Sequence, residues 1–348
     1  MDAENAHNIT LRAMRAGLAP KSPQFTSKAL TQTLWGIDFP NPVGLAAGFD
    51  KNAEVITPAL NMGFGFVEAG TVTPLPQDGN PRPRVFRSPA NKAVINRMGF
   101  PNKGLSTFKE NAHKHLKNNY IGAIGINIGM NKDQTVPEDD YCLLIRELGE
   151  AADYLTINIS SPNTPGLRNL QEKDNLLKLA DKILKEREES CGDKKPPILI
   201  KLAPDLTPEQ QSDIAEAILQ TAIDGLILTN TTLDRPDSLN DEYFSDQQGG
   251  LSGQPLTDKS TDVIRNFYQL TKGKLPIIGA GGIASGDQAY EKIKAGASLV
   301  QIYSGMIYEG PALIPAIAKR ITERLAEDNL ENISDAIGID NIIHNQIK

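Results

Sequence analysis

Eight short apolar runs recur along the chain, and each ends in a small or polar residue. These runs, rich in Val, Ile and Leu, are residues 43–47, 66–70, 123–128, 154–159, 198–202, 225–229, 275–280 and 299–303. Near-continuous apolar runs of this length are typical of strands that are buried on both faces of a parallel sheet. Between them lie longer amphipathic stretches, such as 176–187, where Leu176, Ala180 and Ile183 share one face of a helix. Strand and helix alternating eight times predict an α/β chain that forms a single (β/α)8 TIM barrel.

A doubly wound parallel sheet is the main alternative fold. It usually has fewer strands, and a Gly-x-Gly-x-x-Gly turn follows its first strand. Here the first run is followed by Ala47-Gly48-Phe49-Asp50-Lys51, which lacks that pattern. The barrel is therefore the preferred prediction.

Two parts of the chain fall outside the repeat. Residues 84–87 and 93–96 predict two antiparallel strands joined by a turn, an extra hairpin between the second and third barrel strands that covers one end of the barrel. The first forty residues predict a separate helical element, because Ala6, Ile9, Ala13 and Met14 follow helical spacing.

The expected organisation is thus an N-terminal helical element (1–38), a barrel (39–325) and a partly helical C-terminal tail (326–348). The tail's apolar residues are Ile333, Ile337, Ile342 and Ile343. We assign it no function.

The composition makes several functional classes improbable. A net charge of −7 gives no reason to expect a nucleic-acid partner. No stretch approaches the ~20 apolar residues of a membrane-spanning helix, and the first residues, MDAENAHNIT, lack the pattern of a signal peptide. The two cysteines, Cys142 and Cys191, and the four histidines show no metal-ligand spacing. We therefore expect no metal site.

Polar side chains cluster where the predicted strands end. In a barrel these ends meet at one mouth, which carries the functional groups. The mouth is rich in amides and hydroxyls, has two lysines and has almost no carboxylates; its residues are 47–51, Thr71, Asn127, 158–163, Lys201, 229–231, Gly281, Gly282 and 303–305. Each one alone could be a simple turn former. Together they favour a planar, polar, anionic ligand over hydrolysis by paired carboxylates.

Two glycine-containing loops follow the seventh and eighth runs. They are Gly279-Ala280-Gly281-Gly282 and Tyr303-Ser304-Gly305. In barrels, the loops after these two strands commonly bind a phosphate through backbone N–H groups and a nearby helix N-terminus. A phosphate site is expected there.

Taken together, these segments resemble class 2 dihydroorotate dehydrogenases. The matching stretches follow the family order over residues 3–320; they are 44–51, 70–74, 95–100, 125–129, 158–168, 201–206, 229–233, 250–253, 279–282 and 303–305. Several of these stretches are long and specific, so chance agreement is implausible.

The resemblance implies a bound FMN across the barrel mouth. Its phosphate would be held near Gly253, Gly282, Tyr303 and Ser304. The implied cofactor-binding residues are Ala47, Gly48, Phe49, Asp50, Lys51, Thr71, Asn127, Asn158, Lys201, Thr229, Gly253, Gly282, Tyr303 and Ser304. Lys201 would stabilise negative charge on the reduced flavin.

The resemblance also implies the substrate and the catalytic groups. Dihydroorotate would be bound by Lys51, Asn96, Arg97, Met98, Gly99, Phe100, Asn158, Asn163, Asn230 and Thr231. Ser161 would remove a proton from C5 while C6 gives a hydride to the flavin. Thr164 and a water would relay that proton outward, since a hydroxyl alone is a weak base.

The class assignment implies the electron acceptor. Class 1 enzymes normally have cysteine at the position of Ser161, whereas class 2 enzymes use serine and pass electrons to ubiquinone or menaquinone. His7, Arg87 and Tyr303 match polar positions of the family's quinone tunnel. The resemblance further implies peripheral attachment of the N-terminal element to the cytoplasmic face of the inner membrane.

The sequence departs from the family pattern at two places. The hydrophobic first helix of the N-terminal element is largely missing, and Pro101 replaces a common Asn. The adjacent Asn102 is expected to substitute for that Asn.

Two other functions remain open at this point. Lys201 on the fifth strand could instead form a Schiff base with a phosphorylated sugar, as in a barrel aldolase. That reading explains Lys201 and the glycine loops, but it leaves Ser161 and Asn163 without a role. A barrel that binds a partner without catalysis is the second alternative.

Overall fold

The computed structural model describes residues 2–22, 25–116, 120–239 and 241–341. Within them the helices are α1 (Ala3–Arg15), α2 (Ile56–Leu60), α3 (Gly104–Leu116), α4 (Pro137–Leu148), α5 (Lys173–Ser190), α6 (Pro208–Leu219), α7 (Glu242–Ser245), α8 (Thr257–Thr271), α9 (Gly286–Ala295), α10 (Ser304–Glu309), α11 (Leu313–Glu327) and α12 (Ile333–Ala336). The strands are β1 (Gln32–Leu34), β2 (Ile37–Phe39), β3 (Val43–Leu45), β4 (Phe66–Val72), β5 (Val85–Ser88), β6 (Ala93–Asn96), β7 (Ala123–Ile128), β8 (Tyr154–Asn158), β9 (Ile198–Leu202), β10 (Gly225–Leu228), β11 (Gly250–Gly253), β12 (Ile277–Ala280) and β13 (Leu299–Ile302).

All eight predicted runs form parallel strands of one closed barrel. Around the barrel the order is β3-β4-β7-β8-β9-β10-β12-β13, and β13 pairs with β3 to close it. Every residue of these strands is buried, as expected for strands covered on both faces. Helices α4, α5, α6, α8, α9 and α11 pack side by side around the outside. The fold prediction is confirmed.

A short hairpin closes the bottom of the barrel. Strands β1 and β2 are antiparallel, and Phe39 at the end of β2 packs edge-on against Phe66 at the start of β4, with ring centroids 5.5 Å apart. Trp35 in the turn donates a 2.8 Å hydrogen bond to the carbonyl of Asp224. Residues 32–39 therefore form strands, whereas the N-terminal element was expected to be helical to residue 38. In each strand the middle residue, Thr33 or Asp38, is exposed and its two neighbours are more buried, which is the period of two expected for a strand.

The predicted extra hairpin is present between the second and third barrel strands. Strands β5 and β6 pair in antiparallel register from Val85↔Asn96 to Ser88↔Ala93. Strand β11 adds a third, unpredicted strand on the free edge of β6. Its sequence, Gly-Leu-Ser-Gly, has little strand propensity, so only the pairing with β6 reveals it.

The two ends of the chain are partly helical. Helix α1 contains the four residues predicted at helical spacing and packs against β5 and α2. At the other end, Ile333 in α12 is buried, and Ile337 packs against the barrel core. Ile342, Ile343 and His344 lie outside the described residues. No described helix is both long and apolar enough to cross a membrane.

Candidate functional site

A cavity of about 590 Å³ opens at the carboxyl ends of the barrel strands, beneath α1 and the extra sheet. It brings most of the predicted site residues together. Those that line it are His7, Ala47, Gly48, Phe49, Lys51, Thr71, Arg87, Asn96, Met98, Gly99, Phe100, Asn158, Ser161, Asn163, Lys201, Thr229, Asn230, Thr231, Gly253, Gly282, Tyr303 and Ser304.

Asp50 and Thr164 are buried near the cavity but do not line it. The Asp50 carboxylate accepts hydrogen bonds from the backbone N–H groups of Glu54 and Val55 at 2.8 and 2.7 Å. It therefore fixes the loop after β3, although burial raises its pKa. Thr164 follows Ser161 by three residues in the same loop. Among the described residues, no hydrogen bond joins the Thr164 side chain to Ser161.

Arg97 points away from the cavity. Its guanidinium donates to the carbonyls of Pro83 and Gln248, and it stacks over the ring of Phe86. Arg97 therefore does not line the cavity, and its place among the substrate residues stays a prediction. The sequence could not show this, because its partners lie on segments distant in the chain.

Pro101 lines the cavity, whereas its neighbour Asn102 does not. The Asn102 amide donates to Thr73 Oγ1 and to the carbonyl of Phe100, at 2.8 and 2.9 Å. Asn102 is thus committed to holding the loop, and it does not substitute for the Asn that Pro101 replaces.

A ladder of hydrogen bonds sets the polarity of the cavity floor. Asn127 on β7 donates to the carboxylate of Glu68 on β4 at 2.7 Å. Its carbonyl oxygen, Oδ1, accepts from Thr71 at 2.6 Å and from Asn158 at 3.2 Å. Asn127 lies one layer below the cavity surface and is fully buried. Asn127 therefore reaches the cavity surface only through its hydrogen bonds with Thr71 and Asn158.

Glu68 is a fully buried carboxylate that sequence reasoning missed. Besides Asn127, it accepts hydrogen bonds from Tyr154 at 3.1 Å and from Gln301 at 2.7 Å. Its charge favours the protonated form of Lys201, although burial is the larger effect and lowers the pKa of Lys201. The sequence did offer a sign of this buried carboxylate, because Glu68 stands inside the apolar run 66–70.

The two lysines of the mouth face the cavity from opposite sides. Lys201 projects from β9 and is buried, and its ammonium forms no hydrogen bond with another described residue. Lys51 donates to the carbonyl of Gly48 at 2.6 Å, and burial lowers its pKa to about 8. Both cations are therefore available to an anionic ligand in the cavity.

Ser161 lies in the loop after β8, buried but in contact with the cavity. Its Oγ accepts a hydrogen bond from the backbone N–H of Asn163 at 3.2 Å. Arg168 holds this loop in place: its Nε donates to the carbonyl of Ser160, its Nη2 to the carbonyl of Thr231, and its Nη1 pairs with Asp205 at 2.9 Å. Arg168 was part of the recognised motif, but its role could not be assigned from sequence.

The glycine loop after β12 has the geometry of an anion cradle. Gly281 and Gly282 have φ values of +110° and +74°, which L side chains rarely adopt. A Cβ at Gly282 would lie 2.3 Å from Thr257 Oγ1, so no side chain fits there. Ser304, in the next predicted phosphate loop, shares a 2.8 Å hydrogen bond with Ser252 on β11, which sequence reasoning had not selected. Backbone N–H groups and hydroxyls therefore surround this end of the cavity.

The other end of the cavity is apolar and lies beneath α1. His7 packs edge-on against Phe49 at 5.2 Å, and Phe49 packs against Tyr303 at 5.8 Å between ring centroids. Burial lowers the pKa of His7 to about 3 and raises that of Tyr303 to about 12. Both side chains are consequently neutral at physiological pH.

A buried ion pair fastens α1 over this end. Glu4 accepts hydrogen bonds from Arg84 Nε and Nη2, at 3.1 and 2.6 Å. Arg82 adds a further contact to Glu4 at 3.0 Å. These bonds from Arg84 are the main reason that the pKa of Glu4 is lowered.

The described residues contain no group of three or more His, Cys, Asp or Glu side chains that could hold a metal ion.

Comparisons with known proteins find relatives that cover nearly the whole chain. Residues 29–325 match the family model described as "Dihydroorotate dehydrogenase". The chain is 50% identical to a dihydroorotate dehydrogenase (quinone) of Parvibaculum lavamentivorans, with 98% of this chain and 95% of the relative covered. It is 46% identical to a mitochondrial dihydroorotate dehydrogenase (quinone) of Mus musculus, with 98% and 87% covered. A crystal structure of DHODH in complex with ferulenol, from Eimeria tenella, superposes with a TM-score of 0.94 at 41% identity, covering 98% of this chain and 96% of that one.

Proposed function

The chain belongs to the dihydroorotate dehydrogenase family, and on that premise we propose that it oxidises (S)-dihydroorotate to orotate with FMN as cofactor and a quinone as final electron acceptor. This reaction belongs to the de novo biosynthesis of pyrimidines. One observation carries the proposal: a single cavity joins a polar region with Lys51, Lys201 and Ser161 to an apolar region beneath α1. Such a cavity suits a polar substrate at one end and an apolar acceptor at the other.

The residues at the mouth fit FMN. Gly282 leaves no room for a side chain, and Ser304 and Gly253 border the same end, so this region suits a phosphoryl group. The Lys201 ammonium has no hydrogen-bond partner among the described residues, and it would complement negative charge that builds up on a flavin ring. When bound, FMN supplies a hydride acceptor that a quinone can later reoxidise.

The amide side chains would bind the ring of the substrate. Asn96, Asn163 and Asn230 line the cavity near Ser161, and each offers both a donor and an acceptor. Lys51 would pair with the carboxylate of dihydroorotate, and Thr231 would add a hydroxyl. The set explains why the mouth has amides where a hydrolase would have carboxylates.

Ser161 would take the C5 proton as the C6–H bond gives up its hydride. Because Ser161 is buried in a loop held by Arg168, little water would compete for this proton. Thr164, buried three residues later, would pass the proton outward with the help of a water molecule.

Helix α1 would form the quinone side of the protein. The proposed entry lies between α1 and the barrel, with His7, Arg87 and Tyr303 as its polar positions. Ile9 and Leu18 are exposed at 50% and 74%, and Arg12 and Arg15 lie in the last turn of α1. An apolar and basic surface of this kind suits the headgroup region of an anionic membrane. We propose peripheral attachment there, at the cytoplasmic face of the inner membrane, with residues 1–38 as the attaching element, 39–325 as the catalytic barrel and 326–348 as a tail without an assigned role.

The visible spectrum of the purified protein tests this function. Flavin absorption that bleaches on anaerobic addition of dihydroorotate, and returns on addition of a soluble quinone, is the expected result. Flavin absorption that persists with dihydroorotate would contradict the substrate, and bleaching without recovery would contradict the acceptor. Borohydride trapping of a sugar phosphate on Lys201 would instead support the Schiff-base alternative.

A further inference from the structure

A second buried lysine lies behind the glycine loop, outside the cavity. Lys292 is in α9, and its side chain is fully buried. Its ammonium donates to three oxygens of α8: the carbonyl of Thr257 at 3.1 Å, Ser260 Oγ at 2.5 Å and Thr261 Oγ1 at 2.8 Å. All three hydrogens of the ammonium are therefore used.

Ser260 connects this ammonium to the glycine loop. Its hydroxyl lies 2.9 Å from the carbonyl oxygen of Gly281 and 3.0 Å from that of Thr257. The Thr257 carbonyl already accepts from both Lys292 and Thr261. The single hydrogen of Ser260 is thus free to bind Gly281, and the path runs from Lys292 through Ser260 to the Gly281 peptide.

The orientation of two peptide groups follows from these contacts. The carbonyl of Gly281 faces Ser260, and the carbonyl of Gly282 accepts from Thr257 Oγ1 at 2.7 Å, so both carbonyls point toward α8. In a planar trans peptide, the N–H group points opposite to the carbonyl. The N–H groups of Gly282 and Ile283 therefore point away from α8, and residues 281–283 line the cavity.

The charge of Lys292 is not neutralised by a neighbouring carboxylate. The charges of Asp258 and Asp262 favour its protonated form, but Lys292 forms no ion pair among the described residues. A buried cation without a counter-charge is costly, and burial accordingly lowers its pKa to about 7. An anion on the cavity side of the glycine loop would supply the missing negative charge.

We propose that Lys292 is a positioning residue of the phosphoryl site, a remote cation that acts through Ser260 and the Gly281 peptide to favour a phosphoryl dianion in the cavity. The proposal rests on the proposed use of FMN. A cation at the carbonyl end of this peptide polarises it, which makes the Gly282 N–H a stronger donor toward the cavity. The effect requires charge on the ligand, so it distinguishes FMN from riboflavin, which has the same ring without the phosphate.

Titration of the full-length, flavin-free chain with FMN and with riboflavin tests this proposal. We expect Lys292→Met to raise the dissociation constant of FMN about tenfold, a change that corresponds to about 1.4 kcal/mol. Riboflavin affinity should stay unchanged within about twofold, since it lacks the phosphate. Ser260→Ala should shift the ratio of the two constants in the same direction by a smaller factor, because the lysine remains but its link to the loop is lost.

Lys294→Met is the matched control. It removes the same charge from the same helix, but the partly buried Lys294 already pairs with Glu291 and Asp340, so both flavins should bind as to the unmodified chain. Equal weakening of FMN and riboflavin in Lys292→Met would mean a purely structural role and overturn the proposal. If that variant does not fold, an unchanged ratio in Ser260→Ala overturns it. An unmodified chain that binds neither flavin would refute the proposed cofactor itself.

Discussion

Glu68 and Asn127 lie on adjacent barrel strands, and the Asn127 amide nitrogen donates a 2.7 Å hydrogen bond to the Glu68 carboxylate. A carboxylate can only accept, so it determines which end of the Asn127 amide faces it. The amide oxygen must then face Thr71 and Asn158. One buried charge below the floor therefore sets the donors and acceptors that line the cavity above it.

Glu68→Gln should slow reduction of the flavin by dihydroorotate about tenfold at neutral pH. The substitution removes the charge that favours protonated Lys201, so the pKa of Lys201 should fall further. Lower pH restores the ammonium, and we expect part of the rate to return there. Stopped-flow reduction across pH measures this, with the exposed Glu331→Gln as control. Unchanged rates at every pH would show that Glu68 only packs the barrel.

Ser161→Ala should leave the flavin bound and slow its reduction by roughly 10²–10⁴-fold, the range expected for loss of a positioned general base. Anaerobic stopped-flow absorbance measures the rate, and the flavin spectrum reports retention. Ser161→Cys is the conservative comparison, and it should recover part of the rate because a thiolate can also accept the proton. A near-normal rate in Ser161→Ala would remove this residue from the role of base.

Orotate binding should weaken as pH rises through about 8. Burial is the main cause that lowers the pKa of Lys51 to this value. Below it the ammonium is present and attracts the carboxylate; above it the amine is neutral and the attraction is lost. The dissociation constant, measured from flavin absorbance changes, should therefore increase above about pH 8. The arginine in Lys51→Arg stays charged over this pH range, so the increase in the dissociation constant above about pH 8 should disappear in that variant. If the dissociation constant still increases above about pH 8 in Lys51→Arg, another group is responsible for the pH dependence.

Glu4→Ala should impair the reaction with quinone while leaving flavin reduction intact. The change strands Arg84 as an unpaired buried cation, which costs about 3 kcal/mol, and it loosens α1 over the apolar end of the cavity. We expect a higher KM for a soluble quinone and an unchanged single-turnover rate with dihydroorotate. Asn5→Ala, at an exposed position of the same helix, is the control. If Glu4→Ala slows flavin reduction by dihydroorotate as much as the reaction with quinone, Glu4 has no specific role at the quinone end of the cavity.

Much of this architecture could be predicted from sequence because burial on both faces leaves continuous apolar runs. The runs at 43–47 and 299–303, for example, became β3 and β13, and their pairing closes the barrel. The candidate site residues at strand ends could be predicted for the same reason, because the end of each apolar run marks the end of a strand. Strand β11 could not be predicted in this way, since its four residues include two glycines and show no alternation of apolar and polar side chains.

The residues behind the cavity could not be assigned in this way. Arg168 acts on carbonyls of Ser160 and Thr231, and only the folded chain brings these together. Lys292 resembles any charged residue on a helix surface, yet it falls three positions after the buried Ala289 and is itself buried. A charge on the apolar face of a helix is the signal that would have revealed it.

The pairing of β11 with β6 has a mechanical consequence. Strand β6 carries Asn96, a proposed substrate ligand, and β11 ends at Gly253, beside the proposed phosphoryl end. Since backbone hydrogen bonds join the two strands, the sheet over the mouth moves as one unit, and the two strands do not move independently. The loop 159–166, which carries Ser161, belongs to no strand. The Asn163 amide nitrogen of this loop donates to the carbonyl of Asn96 on β6 at 3.2 Å. A displacement of the loop that carries the proposed base would therefore also move the strand that carries a proposed substrate ligand.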